Sequence, residues 1–230
     1  MRRFGFSTGA LAKGDFRSAI EMLQTYSSSD AIELSALRYN DFKDILESLS
    51  SLDLSRFSYK SFHAPTDFND EIKLIADLET VANQGFNIVV HPDVIQNFDG
   101  WNSLGSRLLI ENMDSRKRTG RSCFELLHFF DKLPDAMLCF DIGHARQVDS
   151  SMIEARKILQ EFGNRLCQIH MSEVDSIGIH HRMSWLSKES FTRVLSGCPI
   201  VVPIILESVV KADEIEDEIK SARSIFSQVV

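Results

Sequence analysis

At 230 residues, with 43% hydrophobic and 25% charged side chains, the chain can bury one substantial core. It has no apolar run near the ~20 residues of a membrane span, so it reads as globular and soluble. A net charge of −8 counts against extended contact with a nucleic-acid backbone and leaves room for a compact anionic substrate. Met1-Arg2-Arg3-Phe4-Gly5-Phe6-Ser7 holds too few apolar residues for a secretory signal, so cytoplasmic residence is the expectation. Cys123, Cys139, Cys167 and Cys198 lack CxxC spacing and read as reduced, inert thiols.

Phe4 to Ser7 reads as a first strand. Asp15 to Tyr26, with Phe16, Ile20 and Leu23 apolar at helical spacing, reads as a first helix. Ala31 to Leu37 is strand two, and Asp41 to Leu49 carries Phe42, Ile45, Leu46 and Leu49 on one helical face. Strand three is Phe57 to His63. A helix capped by Asp67 or Asn69 then runs through Ile72, Ile75, Leu78 and Val81 until Gly85. Strand four is Phe86 to His91, and the irregular stretch from Pro92 to Ser106 holds at most a short helix.

Strand five, Arg107 to Glu111, leads into a basic loop, Asn112 to Arg121, and a helix from Phe124 that ends before Pro134. Strand six is Met137 to Asp141. A helix starting at Ser150 or Ser151 runs to Phe162, closed by Gly163. Strand seven, Leu166 to His170, leaves through a long loop holding His180-His181-Arg182 toward a helix over Lys188 to Leu195. Strand eight, Val201 to Glu207, contains Pro203, which removes a ladder donor and points to a bulge or a gap in pairing. An amphipathic helix, Lys211 to Phe226, follows.

Eight apolar strands alternating with about eight helices predict an α/β fold, a single-domain (β/α)8 TIM barrel of parallel strands and outer helices over residues 1–230. An open doubly wound sheet shares the alternation, but it would not gather six successive strand ends at one point. Those six ends carry His63, His91, Glu111, Asp141, His170 and Glu207, and in a barrel they meet on the face where βα loops build active sites. With Asp141 facing the lumen, period two turns Cys139 and Met137 inward and Leu138 and Phe140 outward. The same count turns Tyr59 and Ser61 inward with His63, Gln168 with His170, and Ile205 with Glu207. The outward Phe62, Val90, Ile110, Ile169 and Leu206 are all apolar.

Carboxylate oxygen and imidazole nitrogen are ligands shared by zinc, manganese, cobalt and iron. Glu111, Asp141, His170 and Glu207 compose one mixed site, and His63 and His91 flank Glu111, which would bridge to a second ion. One such residue alone is more often a hydrogen-bonded strand-end group than a ligand; six on successive strands reverse that preference. His128 reads as a structural mid-helix residue, and His181 is open between the two roles. Glu173 and Asp175, just past His170, read as supports behind the ligands. The loop carrying Arg116, Lys117, Arg118 and Arg121 is either a solvated charge run or a seat for the phosphate or carboxylate of a small substrate.

The motifs Phe62-His63-Ala64-Pro65, Val90-His91-Pro92, Ile110-Glu111-Asn112, Phe140-Asp141-Ile142-Gly143-His144-Ala145, Ile169-His170-Met171-Ser172 and Leu206-Glu207-Ser208 span nearly the whole chain. In this order they resemble the xylose isomerase-like barrels, which include endonuclease IV and many sugar isomerases and epimerases. The resemblance to the isomerases and epimerases implies one metal on Glu111, Asp141, His170 and Glu207. It also implies proton transfer next to a carbonyl, with Glu111 and Glu207 exchanging protons from either side and His144 and Arg182 orienting substrate oxygens. The resemblance to endonuclease IV implies three zinc ions, with His63, His91 and His144 as further ligands, and phosphodiester hydrolysis. Where that family has Asp-Arg-His in its third-metal loop, this chain has Gly178-Ile179-His180; His180 is retained and the carboxylate is missing.

The first expectation is therefore a metal-dependent isomerase or epimerase of a small sugar or sugar phosphate, using one to three ions of zinc, manganese, cobalt or magnesium. The alternative is a di- or trinuclear phosphoesterase, and a third class is a barrel that binds metal or ligand without turnover. The expected partner is a small molecule, with an anionic one compatible. No membrane partner is expected, and the absence of a base-stacking stripe or extended basic face argues against nucleic acid. The sequence does not give the oligomeric state.

Overall fold

The computed structural model describes residues 2–196 and 201–227. Its strands are β1 (Phe4–Ser7), β2 (Ala31–Ser35), β3 (Tyr59–His63), β4 (Asn87–Val90), β5 (Leu108–Glu111), β6 (Met137–Asp141), β7 (Leu166–Met171), the two-residue β8 (Glu173–Val174) and β9 (His180–His181), and β10 (Ile204–Leu206). Eight of them close a parallel barrel in the order β1-β10-β7-β6-β5-β4-β3-β2, while β8 and β9 pair antiparallel as a separate hairpin. This is the (β/α)8 architecture that the alternating pattern predicts.

Around the barrel run α1 (Phe16–Tyr26), α2 (Tyr39–Ser48), α3 (Glu71–Asn83), the short α4 (Phe98–Asn102), α5 (Cys123–Lys132), α6 (Ile142–Val148), α7 (Ile153–Phe162), α8 (Trp185–Leu195) and α9 (Ile215–Phe226). Strand period sets the two layers of the core. Phe62, Val90, Ile110, Leu138, Phe140, Ile169 and Leu206 are buried in one continuous cluster with helix residues such as Leu23, Ile45, Leu78, Leu126 and Ile219. Inside the barrel a separate small cluster holds Val89, Leu109 and Cys139, with Met137 and Cys167 packed on it. The outward and inward faces follow the predicted alternation except at Cys167, which the β6–β7 register skips between Leu166 and Gln168 and which packs on the inner cluster.

Several local expectations change. Asp70, not Asp67 or Asn69, caps α3, accepting from the Lys73 backbone N–H at 3.0 Å; Asp67 instead bonds through its backbone carbonyl to Tyr39. Strand two stops at Ser35 rather than Leu37, and β3 starts at Tyr59 rather than Phe57. α8 begins at Trp185, three residues before the predicted Lys188, because Ser184 supplies the cap to Ser187 N–H. Pro203 makes no bulge inside a strand: it sits just before β10, and its carbonyl still accepts from Ile169 N–H at 3.0 Å. Cys139 is buried, and Cys123 and Cys167 are partly buried, all unpaired; Cys198 lies outside the described residues. Among the described residues, no helix is long and apolar enough to cross a membrane.

Candidate metal centre

Each candidate side chain is delivered by the C-terminal end of a barrel strand or by the residues just beyond it. His63 ends β3, His91 follows β4, Glu111 ends β5, Asp141 ends β6, His170 lies one residue from the end of β7, and Glu207 follows β10. Lateral register aligns them: Asp141 pairs with His170, and His170 with Ile205. Asn112 clamps the β5 and β6 ends, donating to the Asp141 carbonyl at 2.7 Å and accepting from its N–H at 2.8 Å.

The six residues form two overlapping groups that share Glu111. One is His63, His91 and Glu111; the other is Glu111, Asp141, His170 and Glu207; in each, ligand-type atoms lie within 4.8 Å of one another. The two oxygens of Glu111 face different groups. Oε2 lies 3.1 Å from His63 Nε2 and 3.4 Å from His91 Nε2, whereas Oε1 lies 3.1 Å from His170 Nδ1 and 3.5 Å from His144 Nδ1. His63 donates its Nδ1–H to the Ala64 carbonyl at 3.1 Å, which fixes the ring with Nε2 aimed at Glu111.

The donor set fits divalent metal. Three carboxylates, Glu111, Asp141 and Glu207, crowd into a buried space, and their ion partners are histidines. Asp141 Oδ2 and Glu207 Oε2 are buried with no hydrogen-bond donor, an expensive arrangement for anionic oxygens unless a cation answers them. Mixed imidazole and carboxylate ligands suit zinc, manganese or cobalt.

Charge in the cluster is uneven. Burial pushes the Glu207 carboxyl well above the usual range, with Glu111 and Asp141 adding repulsion against the pull of His170. Burial likewise raises Asp141. Burial would also raise Glu111, but His170, His63 and His91 outweigh it and hold that carboxylate well below its ordinary value. Burial favours neutral His91 and brings His180 down to about 4. His170 goes the other way: desolvation opposes its charged form, but Cys139, Glu207, Glu33 and Glu111 together raise it well above the usual imidazole.

α6 and the small hairpin complete the mouth. Asp141 caps α6 by accepting the His144 N–H at 2.7 Å, and the His144 ring reaches Asp141 Oδ2 at 3.3 Å. Gly143 permits this: a Cβ there would stand 2.5 Å from the Ser172 carbonyl. The hairpin folds His180 back over the centre, its Nδ1 at 2.8 Å from Ser172 Oγ and 3.4 Å from Glu207 Oε2. The cavity above the cluster measures about 450 Å³ and includes Ser7, Ser35, Leu37, Ile179 and Val209 on its walls.

The basic residues divide. Arg116 and Lys117 line the cavity, each already matched to a carboxylate: Arg116 to Asp114 at 2.8 Å and Lys117 to Asp93 at 2.8 Å. Arg121 pairs with Glu125 at 2.5 Å, and neither it nor Arg118 lies on the cavity wall. Arg182, expected to orient substrate, instead reaches Glu214 at 2.9 Å and Glu218 at 3.5 Å, outside the cavity lining. His181 pairs with Asp175 at 2.9 Å at the exposed side of the hairpin, and His128 packs edge-on to Phe98 with ring centroids 5.6 Å apart. Glu173 accepts from Ser184 N–H and Ser187 Oγ–H at the start of α8.

One member of the cluster escaped the sequence reading. Glu33 of β2, fully buried between outward Ile32 and Leu34, lies below the centre with Oε2 3.0 Å from His170 Nε2. The parity count that turned Gln168 and Ser61 inward, extended to β2, would have found it.

No protein-family model matches the chain, and no curated protein matches it. Solved structures do. Endonuclease IV from Thermus thermophilus superposes with a TM-score of 0.65 at 19% identity, covering 99% of this chain and 100% of that one. The IolI protein with a bound zinc atom gives 0.66 at 12% identity, covering 99% of each chain. The 3-keto-D-glucoside 4-epimerase from E. coli gives 0.60 at 14% identity, covering 98% of this chain and 99% of that one. These likenesses show the fold: the chain is a closed parallel (β/α)8 TIM barrel that the three structures share from end to end.

Proposed function

We propose that the chain is a divalent-metal-dependent phosphoesterase that holds two ions, one on each side of Glu111. The observation that carries this reading is the split of that carboxylate, with one oxygen toward His63 and His91 and the other toward His170. A one-ion isomerase centre on Glu111, Asp141, His170 and Glu207 would leave His63 and His91 without a ligand's task. Two divalent ions, when bound, supply charge against phosphoryl oxygens and make water acidic enough to attack near neutral pH.

The chain's own groups would divide the remaining work. His63, His91 and Glu111 would hold one ion, and Glu111, Asp141, His170 and Glu207 the other. His144 and His180, at the mouth, would hydrogen-bond substrate oxygens. The cavity of about 450 Å³ and the net charge of −8 favour a small phosphate ester over a nucleic-acid backbone. The likeness to endonuclease IV supports the chemistry, and the missing carboxylate at Gly178 argues against a complete third site.

The test is metal content by elemental analysis of protein purified without a metal-affinity tag, paired with turnover of chromogenic phosphomonoesters and phosphodiesters. Two ions per chain, with one ion and most turnover lost in a His63→Ala, His91→Ala double variant, is the expected result. One ion per chain, indifferent to that change, would sink the proposal.

A second reading, proton transfer in a small sugar by an isomerase or epimerase, is favoured by one observation. Glu111 and Glu207 approach within the same 4.8 Å group, with neighbouring histidines lowering the first carboxyl and burial raising the second, the opposed directions that suit a base and an acid. The likeness to the sugar epimerase supports it. Solvent deuterium appearing at carbon in a panel of aldoses and ketoses would favour this reading over hydrolysis.

A further inference from the structure

We propose that Glu33 is the positioning residue of the centre: by accepting the Nε2–H of His170 it fixes that ring and its tautomer, so that Nδ1 presents a lone pair toward Glu111 and Glu207. The inference rests on the metal-dependent reading above and is indifferent to which reaction follows.

Glu33 is fully buried in the barrel lumen. Its Oε2 gathers three neighbours: His170 Nε2 at 3.0 Å, Ser61 Oγ at 2.9 Å and Gln168 Nε2 at 2.7 Å. Its Oε1 has no hydrogen-bond partner, and its ion partner is His170. As a device for stability this is a poor choice, since a buried carboxylate is costly and a well-packed apolar residue in its place is often neutral or better. The gain lies across the imidazole. On the far edge, Nδ1 stands 3.1 Å from Glu111 Oε1 and 3.6 Å from Glu207 Oε1, inside the four-residue ligand group. A histidine binds metal through a nitrogen without a proton, and a carboxylate on the opposite nitrogen both holds the proton there and raises the ring's basicity.

Gln168 is the competitor. Its amide nitrogen lies 2.7 Å from the same His170 Nε2, and a hydrogen bond donated there would move the ring proton to Nδ1 and remove the lone pair from the centre. The amide is committed elsewhere. Its carbonyl accepts the Tyr59 hydroxyl at 2.7 Å, which sets its orientation, and its hydrogens have Glu33 Oε2 and, at 3.6 Å, Cys139 Sγ as acceptors. A charge-assisted bond from His170 to Glu33 is also about twice as strong as a neutral amide bond to the ring.

The experiment measures affinity for zinc and cobalt by competition with a chromogenic chelator, ion by ion, in the full chain, in Glu33→Gln and in Glu33→Asp, with folding checked by circular dichroism. The cobalt absorption spectrum reports ligand geometry independently of turnover. The expected result is a loss of about 10- to 100-fold in affinity for one ion in Glu33→Gln, a changed cobalt spectrum, and the other ion held as in the unaltered protein. Glu33→Asp, which keeps the charge, should recover part of the loss and serves as the measured variant if Glu33→Gln does not fold. Unchanged affinity and spectrum in a folded variant at position 33 would overturn the assignment. An unaltered chain that binds no ion would end it together with the functional reading, whereas an absence of phosphoesterase turnover beside intact two-ion binding would leave Glu33 in its role.

Discussion

Glu111 and His63, 48 residues apart in the chain, meet at 3.1 Å between Oε2 and Nε2, each the last residue of its own barrel strand. Because the other oxygen of Glu111 faces His170, one carboxamide substitution touches both halves of the cluster. Glu111→Gln is therefore expected to bind less metal than the His63→Ala, His91→Ala double variant and to lose more than about 100-fold in turnover, beyond the usual cost of altering a residue behind the ligands. Elemental analysis beside a phosphoester assay checks the order of the two variants.

Acid should loosen the fold through Asp114. Burial alone would raise this carboxyl, but the Arg116 guanidinium and backbone N–H bonded to it hold it at about 2, against an ordinary 3.8. A group depressed on folding stabilises above its unfolded value and loses that contribution as pH falls through its folded value, so the window runs from about pH 4 down to about pH 2. The effect is on the order of 1 kcal/mol, because the Arg116 side chain is 48% exposed and solvent screens the pair. Urea midpoints at pH 7 and pH 3 should fall less in Asp114→Asn than in the unaltered chain.

Glu71 joins α3 to the start of α4. Its carboxylate accepts the Trp101 indole N–H at 2.8 Å and the backbone N–H groups of Gln96 and Asn97. Trp101 is fully buried, so Glu71→Ala strands its indole donor and should cost about 1–3 kcal/mol. A lower urea midpoint, with a red shift of the Trp101 emission, is the expected outcome; Trp185, 71% exposed, gives a constant background.

Arg182→Ala should separate support from chemistry. The side chain serves Glu214 and Glu218 on the α9 side, and Glu218 keeps the Met183 N–H and Ser208 Oγ–H as donors without it. Metal content should be unchanged and stability lower by about 0.2–1 kcal/mol. A fall in turnover at unaltered metal content and stability would instead place Arg182 on the substrate.

The barrel and most of the candidate cluster were legible because strand ends obey a count of two: His63, Asp141 and His170 follow apolar outward neighbours at Phe62, Phe140 and Ile169. Glu33 obeys the same count, in register with the inward Ser61, but one acid between Ile32 and Leu34 also reads as the solvent side of a half-exposed strand, and nothing local to β2 marks it as a site residue. α6 escaped because its seven residues start immediately at the capping Asp141, too few for helical periodicity to register. The hairpin of β8 and β9 has two residues per strand, and it alone brings His180 to Glu207. Arg182 was misplaced because its partners, Glu214 and Glu218, lie more than thirty residues downstream.

The two-layered strand has a further consequence. Outward positions ask only for a side chain of roughly the right bulk and no charge, and cores accept many such exchanges when volume and pattern are kept. The inward strand ends, by contrast, ask for a particular donor atom at a particular place. A barrel built this way can exchange most of its letters without losing its shape, as the 12% and 19% identities over near-complete chains illustrate. Its chemistry is written in a handful of positions, so a change of reaction need disturb very little of the fold.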